Sequence, residues 1–390
     1  MLNGDDRRGI TVLFAGGGTG GHLMPGISVA QELLRRRPGA SVIFVGSGRP
    51  LERELVERHS LEFVELPSLR LPGSPASTPG WFYRAAHGIG SGIRLLARLD
   101  PDIVVSLGSY AAVAPGIAAA IRGIPLVILE QNAVPGRANK FLSWWAREVY
   151  VPWSGCEASF AHVERVFVTG NPVRSDLHIS RSRHLATRFG LSPRKRTLLV
   201  LGGSQGARFL NDAMVALLPR FDRESSWLQV LHSTGSAQYE SVRAAYAAHR
   251  VQASLHPFIE DMAAAYGSCD LALCRGGGTT LAELASLGVP AVVVPLPHAT
   301  NDHQRRNCAM LAAQGGIIVV EQDDTDVAEI GEVMIRLLRD DRLRAQMRCA
   351  LLRVGRPAAA ARVVDRILEV VDAGRSLACD RLAVCGVKRA

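Results

Sequence analysis

Residues Phe14–Gly26 read FAGGGTGGHLMPG, with five glycines from Gly16 to Gly21 followed at once by His22. Glycines so placed permit a tight turn and let another group approach bare N–H groups. A helix that starts just beyond adds its dipole, so the stretch favours an anion. It is not a P-loop, because no Gly-Lys-Ser/Thr follows. It also lacks the context of a dinucleotide fold, because no acidic residue ends the second apolar run, SVIFVGSG. A structural tight turn is the alternative. A histidine at the mouth of an anion-binding turn, with an ordinary pKa of about 6.5, is suited to act as a general base. Helix capping or a structural hydrogen bond is the other role open to it.

The second half of the chain repeats this logic. Gly202–Ala207 (GGSQGA) offer backbone N–H groups and the Ser204 hydroxyl at another helix start, and GNPVR places the fork of Arg174 where it can hold a phosphate oxygen. Further on, CRGGGTTLAELASLG supplies Arg275, three glycines, Thr279, Thr280 and Glu283. Glu283 lies about one helical turn beyond the two threonines, so one ligand can meet all three. A carboxylate that accepts two hydroxyls is a common way to fix a ribose, and a helix-surface glutamate is the alternative. A D-x-D pair, Asp324-Thr325-Asp326, follows an apolar run and opens a helix, so N-capping explains it better than a metal does.

These residues need a scaffold, and the apolar runs supply one. In the first half they are ITVLFAG, SVIFVGS, EFVEL, DIVVSLG, PLVILEQ, VYVP and VFVTG; in the second, TLLVLGG, LQVLHST, ASLHPF, DLALCRG, PAVVVPL and GIIVVEQ. Short, continuous Val/Ile/Leu runs separated by helical stretches predict parallel sheets covered on both faces. Each half opens with a strand, a glycine-rich turn and a helix. The expected fold is therefore α/β, with two doubly wound, Rossmann-like domains joined near residue 170 and ligands in the cleft between them. Residues 1–170 form the first domain and 171–355 the second. A helix over about 356–372 packs back on the first, and 373–390 is a tail without a motif.

Composition narrows the class. The chain has 390 residues, 47% of them hydrophobic and 21% charged, which predicts a soluble globular protein. A net charge of +9 favours anionic partners: phosphates, nucleic acid or an acidic membrane surface. Seven cysteines without C-x-x-C spacing argue against a disulfide framework or zinc ribbon and for reduced thiols in a cytoplasm. The N-terminal apolar run is too short for a signal peptide, and AAVAPGIAAAIRGIPLVIL is interrupted by Pro115, Arg122 and Pro125. Any membrane attachment is expected to be peripheral. In GWFYRAAHGIGSGIRLLARL, helical spacing gathers Arg84, His87, Arg94 and Arg98 opposite Phe82, Ala85, Ile89, Ile93 and Leu96. That pattern fits a crossover helix with a solvated basic face and also a face turned to anionic lipid.

GGGTGGHLMPG, EQNAVPG, TGNPVR, GGSQGA, FIEDMAAAY, CRGGGTTLAEL and NDHQRRN stand in the order seen in the MurG family of peptidoglycan glycosyltransferases, which the chain resembles from about Ile10 to Ala360. The resemblance implies the two-domain GT-B fold. The activity it implies is transfer of N-acetylglucosamine from UDP-GlcNAc to the lipid-linked acceptor lipid I, with inversion, to give lipid II. It implies no cofactor, no nucleic acid, and a peripheral site at the cytoplasmic face of the inner membrane.

By the same resemblance, Thr19, Gly20 and Gly21 contact UDP-GlcNAc and Asn132 touches the sugar. Arg174 and Ser204 contact the diphosphate, Ile259 meets uracil through its backbone, and Glu283 holds the ribose. Gln304 takes the sugar hydroxyls, and Gly278, Thr279, Thr280, Leu281 and Ala282 line the nucleotide. His22 is the candidate base, and glycine N–H groups, helix starts and Arg174 stabilise the leaving group without a metal. The chain departs from the family at SLGSYAA, where Ser106 and Ser109 stand in place of glycines of a turn linked to the acceptor's diphosphate. Another GT-B enzyme, such as a UDP-GlcNAc 2-epimerase, and a non-catalytic nucleotide-sugar sensor are the competing readings.

Overall fold

The computed structural model describes residues 9–18, 20–68, 78–177, 181–203 and 205–386, with side chains described except at 78–84, 300 and 377–386. The chain forms two compact units, one of residues 1–131, 135–172 and 358–390, the other of 132–134 and 173–357. The short piece Asn132–Val134 thus belongs with the second unit although its neighbours on both sides lie in the first.

The N-terminal unit holds strands β1 (Thr11–Gly16), β2 (Ser41–Gly46), β3 (Glu62–Glu65), β4 (Ile103–Gly108), β5 (Leu126–Leu129), β6 (Glu148–Val151) and β7 (Val166–Val168). Its helices are α1 (Gly20–Arg36), α2 (Pro50–Glu57), α3 (Thr78–Leu99), α4 (Val113–Arg122) and α5 (Arg137–Leu142). The C-terminal unit holds β8 (Arg196–Leu201), β9 (Leu228–Ser233), β10 (Gln252–His256), β11 (Leu271–Cys274), β12 (Ala291–Val293) and β13 (Ile317–Val319). Around them lie α6 (Arg208–Asp222), α7 (Tyr239–Ala247), α8 (Met262–Ser268), α9 (Gly278–Leu287), α10 (His303–Ala313), α11 (Val327–Arg339) and α12 (Asp341–Val354). A last helix, α13 (Ala359–Gly386), returns to the first unit.

Every strand pairing is parallel, in the orders β3-β2-β1-β4-β5-β6-β7 and β10-β9-β8-β11-β12-β13. The thirteen apolar runs read from the sequence all become strands. Their two-sided burial explains why they are continuous rather than alternating: all six residues of β4 and all four of β11 are buried. Val12, Phe14, Ile27, Leu33, Phe44 and Val105 are among the core residues of the first unit, and Leu198, Val200, Met214, Leu271, Met334 and Leu338 among those of the second.

Residues 327–354 form two helices, because Asp340 leaves helical geometry and its carboxylate accepts from Leu343 N–H at 2.8 Å. Asp326 likewise caps α11, accepting from Ala328 N–H at 3.1 Å, which is the N-cap role read for the D-x-D pair. The final helix does not stop near 372 but continues to Gly386. Val363, Val364, Ile367, Val370 and Val371 enter the first unit's core. Arg375, already in the expected tail, donates to Asp102 at 3.1 Å.

One buried charge fastens α13 to the sheet. Glu148 of β6 is fully buried; Arg366 donates to it from Nη2 at 2.5 Å and from Nε at 3.0 Å, and lies over the Phe167 ring. Arg165 and the Tyr150 hydroxyl complete the set at 3.0 and 3.1 Å. Removing one partner of a buried pair strands the other. Arg366→Ala is therefore expected to cost the N-terminal unit about 3 kcal/mol, read by urea denaturation.

Candidate functional site

Strand order decides where ligands sit. In a doubly wound sheet the chain leaves neighbouring central strands in opposite directions, and a crevice opens beyond their carboxyl ends. Here those strand pairs are β1/β4 and β8/β11. The turns after them are Gly16–Gly18 and Gly108–Tyr110 in one unit, and Gly202–Ala207 and Arg275–Gly277 in the other. The four stretches singled out by composition are thus the two switch points.

In the N-terminal unit, α1 starts at Gly20, so Gly20, Gly21 and His22 make up its first turn. Gly20 and His22 are half-buried and Gly21 is exposed. Thr19 lies outside the described residues. Two amides of the turn before them are already taken by side chains. Gly17 N–H donates to Ser109 Oγ at 3.2 Å, and Gly18 N–H donates to Glu52 Oε1 at 2.6 Å. Ser109 holds φ +63°, ψ 169°, a region that essentially only glycine occupies. Ser109 thus occupies a backbone conformation suited to glycine. Ser106, the other replacement, is buried and donates to Asn139 Oδ1 at 2.8 Å; Asn139 in turn donates to Glu130 at 2.9 Å. Glu130 accepts from Gln131 N–H and Gly136 N–H, which shapes the EQNAVPG loop.

In the C-terminal unit, Gly277 is the N-cap of α9, so Gly278, Thr279 and Thr280 carry the first three amides of that helix. Leu281 N–H already bonds Gly277 O at 3.0 Å, and the side chains of Leu281 and Ala282 are buried. Those two positions pack the helix, and the amides of Gly278–Thr280 precede the first bond within it. Glu283 faces inward: Tyr266 OH donates to its Oε2 at 2.8 Å, and Arg174 Nε stands 3.5 Å from its Oε1. The Arg174 and Glu283 atoms of that pair are both buried and make no hydrogen bond. Two residues assigned to different parts of one donor, diphosphate and ribose, are thus adjacent. Burial pushes the Glu283 carboxyl above its ordinary value, against the opposing pull of Arg174 and Tyr266.

Gln304 Oε1 accepts from Gly276 N–H at 3.1 Å and from Leu296 N–H at 2.9 Å, so its oxygen is engaged within the unit. Ile259 is buried. Ser204 lies outside the described residues. Arg275 is a structural tie: its fork donates to Val294 O, Pro295 O and Gln322 Oε1.

Three residues escaped the sequence reading. Asn307, fully buried, donates to Asn132 Oδ1 and Gly276 O, both at 3.1 Å, and accepts from Ala133 N–H at 2.7 Å; it fixes Asn132 within the second unit. It stands in the quoted motif NDHQRRN, three residues after Gln304. Tyr266, in FIEDMAAAY, is the hydroxyl on Glu283. Glu52 gave only a helix-start signal, Arg49-Pro50-x-Glu52, with Arg49 at the N-cap and Pro50 in the first helical position. Among the described residues no three His, Cys, Asp or Glu side chains gather as a metal site requires.

Two Rossmann-like units with these paired glycine turns define a GT-B glycosyltransferase. The chain matches the glycosyltransferase family 28 N-terminal domain over residues 12–151 and the family 28 C-terminal domain over 197–363. It is 38% identical over 361 residues, 92% of this chain and 97% of the other, to a protein of Nitratidesulfovibrio vulgaris. That relative is named UDP-N-acetylglucosamine--N-acetylmuramyl-(pentapeptide) pyrophosphoryl-undecaprenol N-acetylglucosamine transferase. The crystal structure of Acinetobacter baumannii MurG superposes with a TM-score of 0.73 at 28% identity, covering 92% of this chain and 99% of that one. A Neisseria meningitidis UDP-GlcNAc 2-epimerase covers 92% of this chain and 100% of its own at a TM-score of 0.66, but at 16% identity it shares the fold alone. The chain belongs to the MurG family of family 28 glycosyltransferases.

The raised Glu283 pKa gives a signed expectation. A ribose hydroxyl donates to the carboxylate and not to its protonated oxygen. Glu283 takes up its proton above the ordinary 4.5, so UDP affinity falls as pH is lowered and starts to fall above that value. Calorimetric titration of UDP-GlcNAc, whose diphosphate diester carries no proton that titrates there, from about pH 8 to about pH 5 is expected to show a decline in the native protein that is lost in Glu283→Gln, which binds more weakly throughout.

Proposed function

We propose that this chain transfers N-acetylglucosamine from UDP-GlcNAc to the 4-hydroxyl of the muramoyl sugar of undecaprenyl-diphosphoryl-N-acetylmuramoyl-pentapeptide, with inversion, making lipid II for peptidoglycan. The observation that carries this reading is near end-to-end identity of 38% to a transferase that bears the reaction in its name. The C-terminal unit takes the donor. Amides of Gly278, Thr279 and Thr280 and the Arg174 guanidinium face its diphosphate; Glu283 receives the ribose, Ile259 the uracil, and Asn132 and Gln304 the sugar. The N-terminal unit takes the acceptor and carries His22.

The acceptor hydroxyl attacks the anomeric carbon from the face opposite UDP. As the new C–O bond forms, the bond to the diphosphate breaks, the hydroxyl proton passes to His22, and the leaving oxygen keeps the electron pair. Fixed amide dipoles and a guanidinium lower the energy of the charge that develops there.

The lipid-linked acceptor calls for a membrane surface, here the cytoplasmic face of the inner membrane. Among the described residues no helix is long and apolar enough to cross a bilayer. An exposed aromatic cluster supports peripheral contact: Trp144 is 69% exposed, Trp145 50% and Phe141 43%, with Ile121 of α4 at 62%. Exposed Arg122, Arg137, Lys140 and Arg147 accompany them in sequence. Aromatic rings among basic side chains suit the headgroup level of an anionic bilayer. His87, Arg94 and Arg98 of α3 are also exposed, while the Arg84 side chain lies outside the described residues.

The test is turnover of radiolabelled UDP-GlcNAc with a soluble lipid I analogue, with other UDP-sugars offered in parallel. Product is expected only with both substrates; consumption of UDP-GlcNAc without acceptor indicates an epimerase, and saturable binding without turnover a sensor. His22→Ala is expected to lower kcat about 10²- to 10⁴-fold and leave UDP affinity intact. Replacing Trp144 and Trp145 with serine is expected to reduce sedimentation with phosphatidylglycerol vesicles and leave turnover of the soluble analogue unchanged.

A further inference from the structure

A buried carboxylate in the N-terminal unit has no part in the reading above, yet three backbone amides converge on it. Glu52, in the first turn of α2, is 1% exposed. Its Oε1 accepts from Gly18 N–H at 2.6 Å and from the Ser47 hydroxyl at 2.8 Å; its Oε2 accepts from Ser47 N–H at 2.7 Å and Arg49 N–H at 3.4 Å. The glycines around it fit this group closely. A Cβ on Gly17 would stand 2.5 Å from Oε1, and one on Gly46 2.8 Å from Oε2. Bare N–H groups at a glycine turn form a concavity for an anion, and here the protein's own carboxylate lies in it.

We infer that Glu52 is the positioning residue of the first glycine turn: its carboxylate takes the place of a ligand anion there and, with the Ser109 hydroxyl on Gly17, sets where α1 begins and where His22 stands. The turn therefore gives no amide from Gly17 or Gly18 to substrate. Ser109 keeps a glycine-only backbone conformation while it makes this bond, and such strain persists where the surroundings hold it in place. The two partners come from different elements, α2 and the turn after β4, so the start of α1 is held from two sides. The link to catalysis rests on His22 being the base.

Glu52→Gln tests the inference without changing side-chain size. Every group facing Glu52 is a donor, so either orientation of a glutamine amide sets its NH₂ against an N–H. Expected is a fall in kcat of about tenfold to a hundredfold, with KM for UDP-GlcNAc and UDP affinity within about twofold of the native values. Faster amide exchange confined to residues 16–22 should accompany it. Sodium formate is expected to restore part of the rate to Glu52→Ala, whose cavity admits it, and none to Glu52→Gln. Ser109→Ala, which removes the acceptor of Gly17 N–H and of Ala111 N–H, is expected to lower kcat by less than about tenfold and serves if the Glu52 variants do not fold.

A native rate with unchanged exchange in Glu52→Gln overturns the inference, as does a parallel loss of kcat and UDP affinity. If the native protein transfers no sugar, the functional reading fails, and exchange at residues 16–22 in the variant still decides whether Glu52 holds the turn.

Discussion

The structure depends on an obligation created by parallel pairing. At each switch point the chain turns away from two adjacent strands, and backbone N–H groups beyond their ends lose their ladder partners. Buried amides must find an acceptor, and the two units meet that demand differently. In the first, β1 and β4 are followed by turns whose amides are taken by Glu52 and Ser109. In the second, the first amides of α9 emerge from Gly277 at the end of β11, without a side-chain cap. The first turn thus has two of its amides on side chains, whereas α9 starts from a glycine with no side-chain cap.

Buried charge is used in two ways. Glu148 is ringed by Arg366, Arg165 and Tyr150, all its lone-pair directions are engaged, and it fastens a C-terminal helix to an N-terminal sheet. Glu283 is as deeply buried but less completely satisfied: Tyr266 bonds one oxygen, and Arg174 stays beyond hydrogen-bond distance of the other. Desolvation therefore raises the proton affinity of Glu283, and also pushes the Tyr266 hydroxyl up. A carboxylate left short of partners is one that a ligand hydroxyl can satisfy.

The departures from the family pattern at Ser106 and Ser109 have a physical account. Both hydroxyls bond inward, one to Asn139 and the other to the glycine turn, and Ser109 does so from a conformation that glycine favours. The pattern of the turn survives because the geometry it serves is fixed by neighbours, and the serines add partners to that geometry.

Period and burial made the scaffold legible. Thirteen apolar runs gave thirteen strands because strands buried on both faces have no polar side to break the run, and the glycine clusters marked the switch points because only glycine allows so close an approach. The sequence by itself therefore determined the α/β class, the two-unit plan, the family and the segments that carry the chemistry. It did not separate a glycine turn that receives a ligand from one that receives Glu52, a residue 34 positions away from the Gly18 amide it accepts from. Nor did it reveal that Glu283 faces Tyr266, that Asn307 holds Asn132, or that α13 outlasts its first apolar stripe. Those facts depend on which distant side chain fills a given space, and local spacing carries no record of that; only the packed tertiary structure decided them.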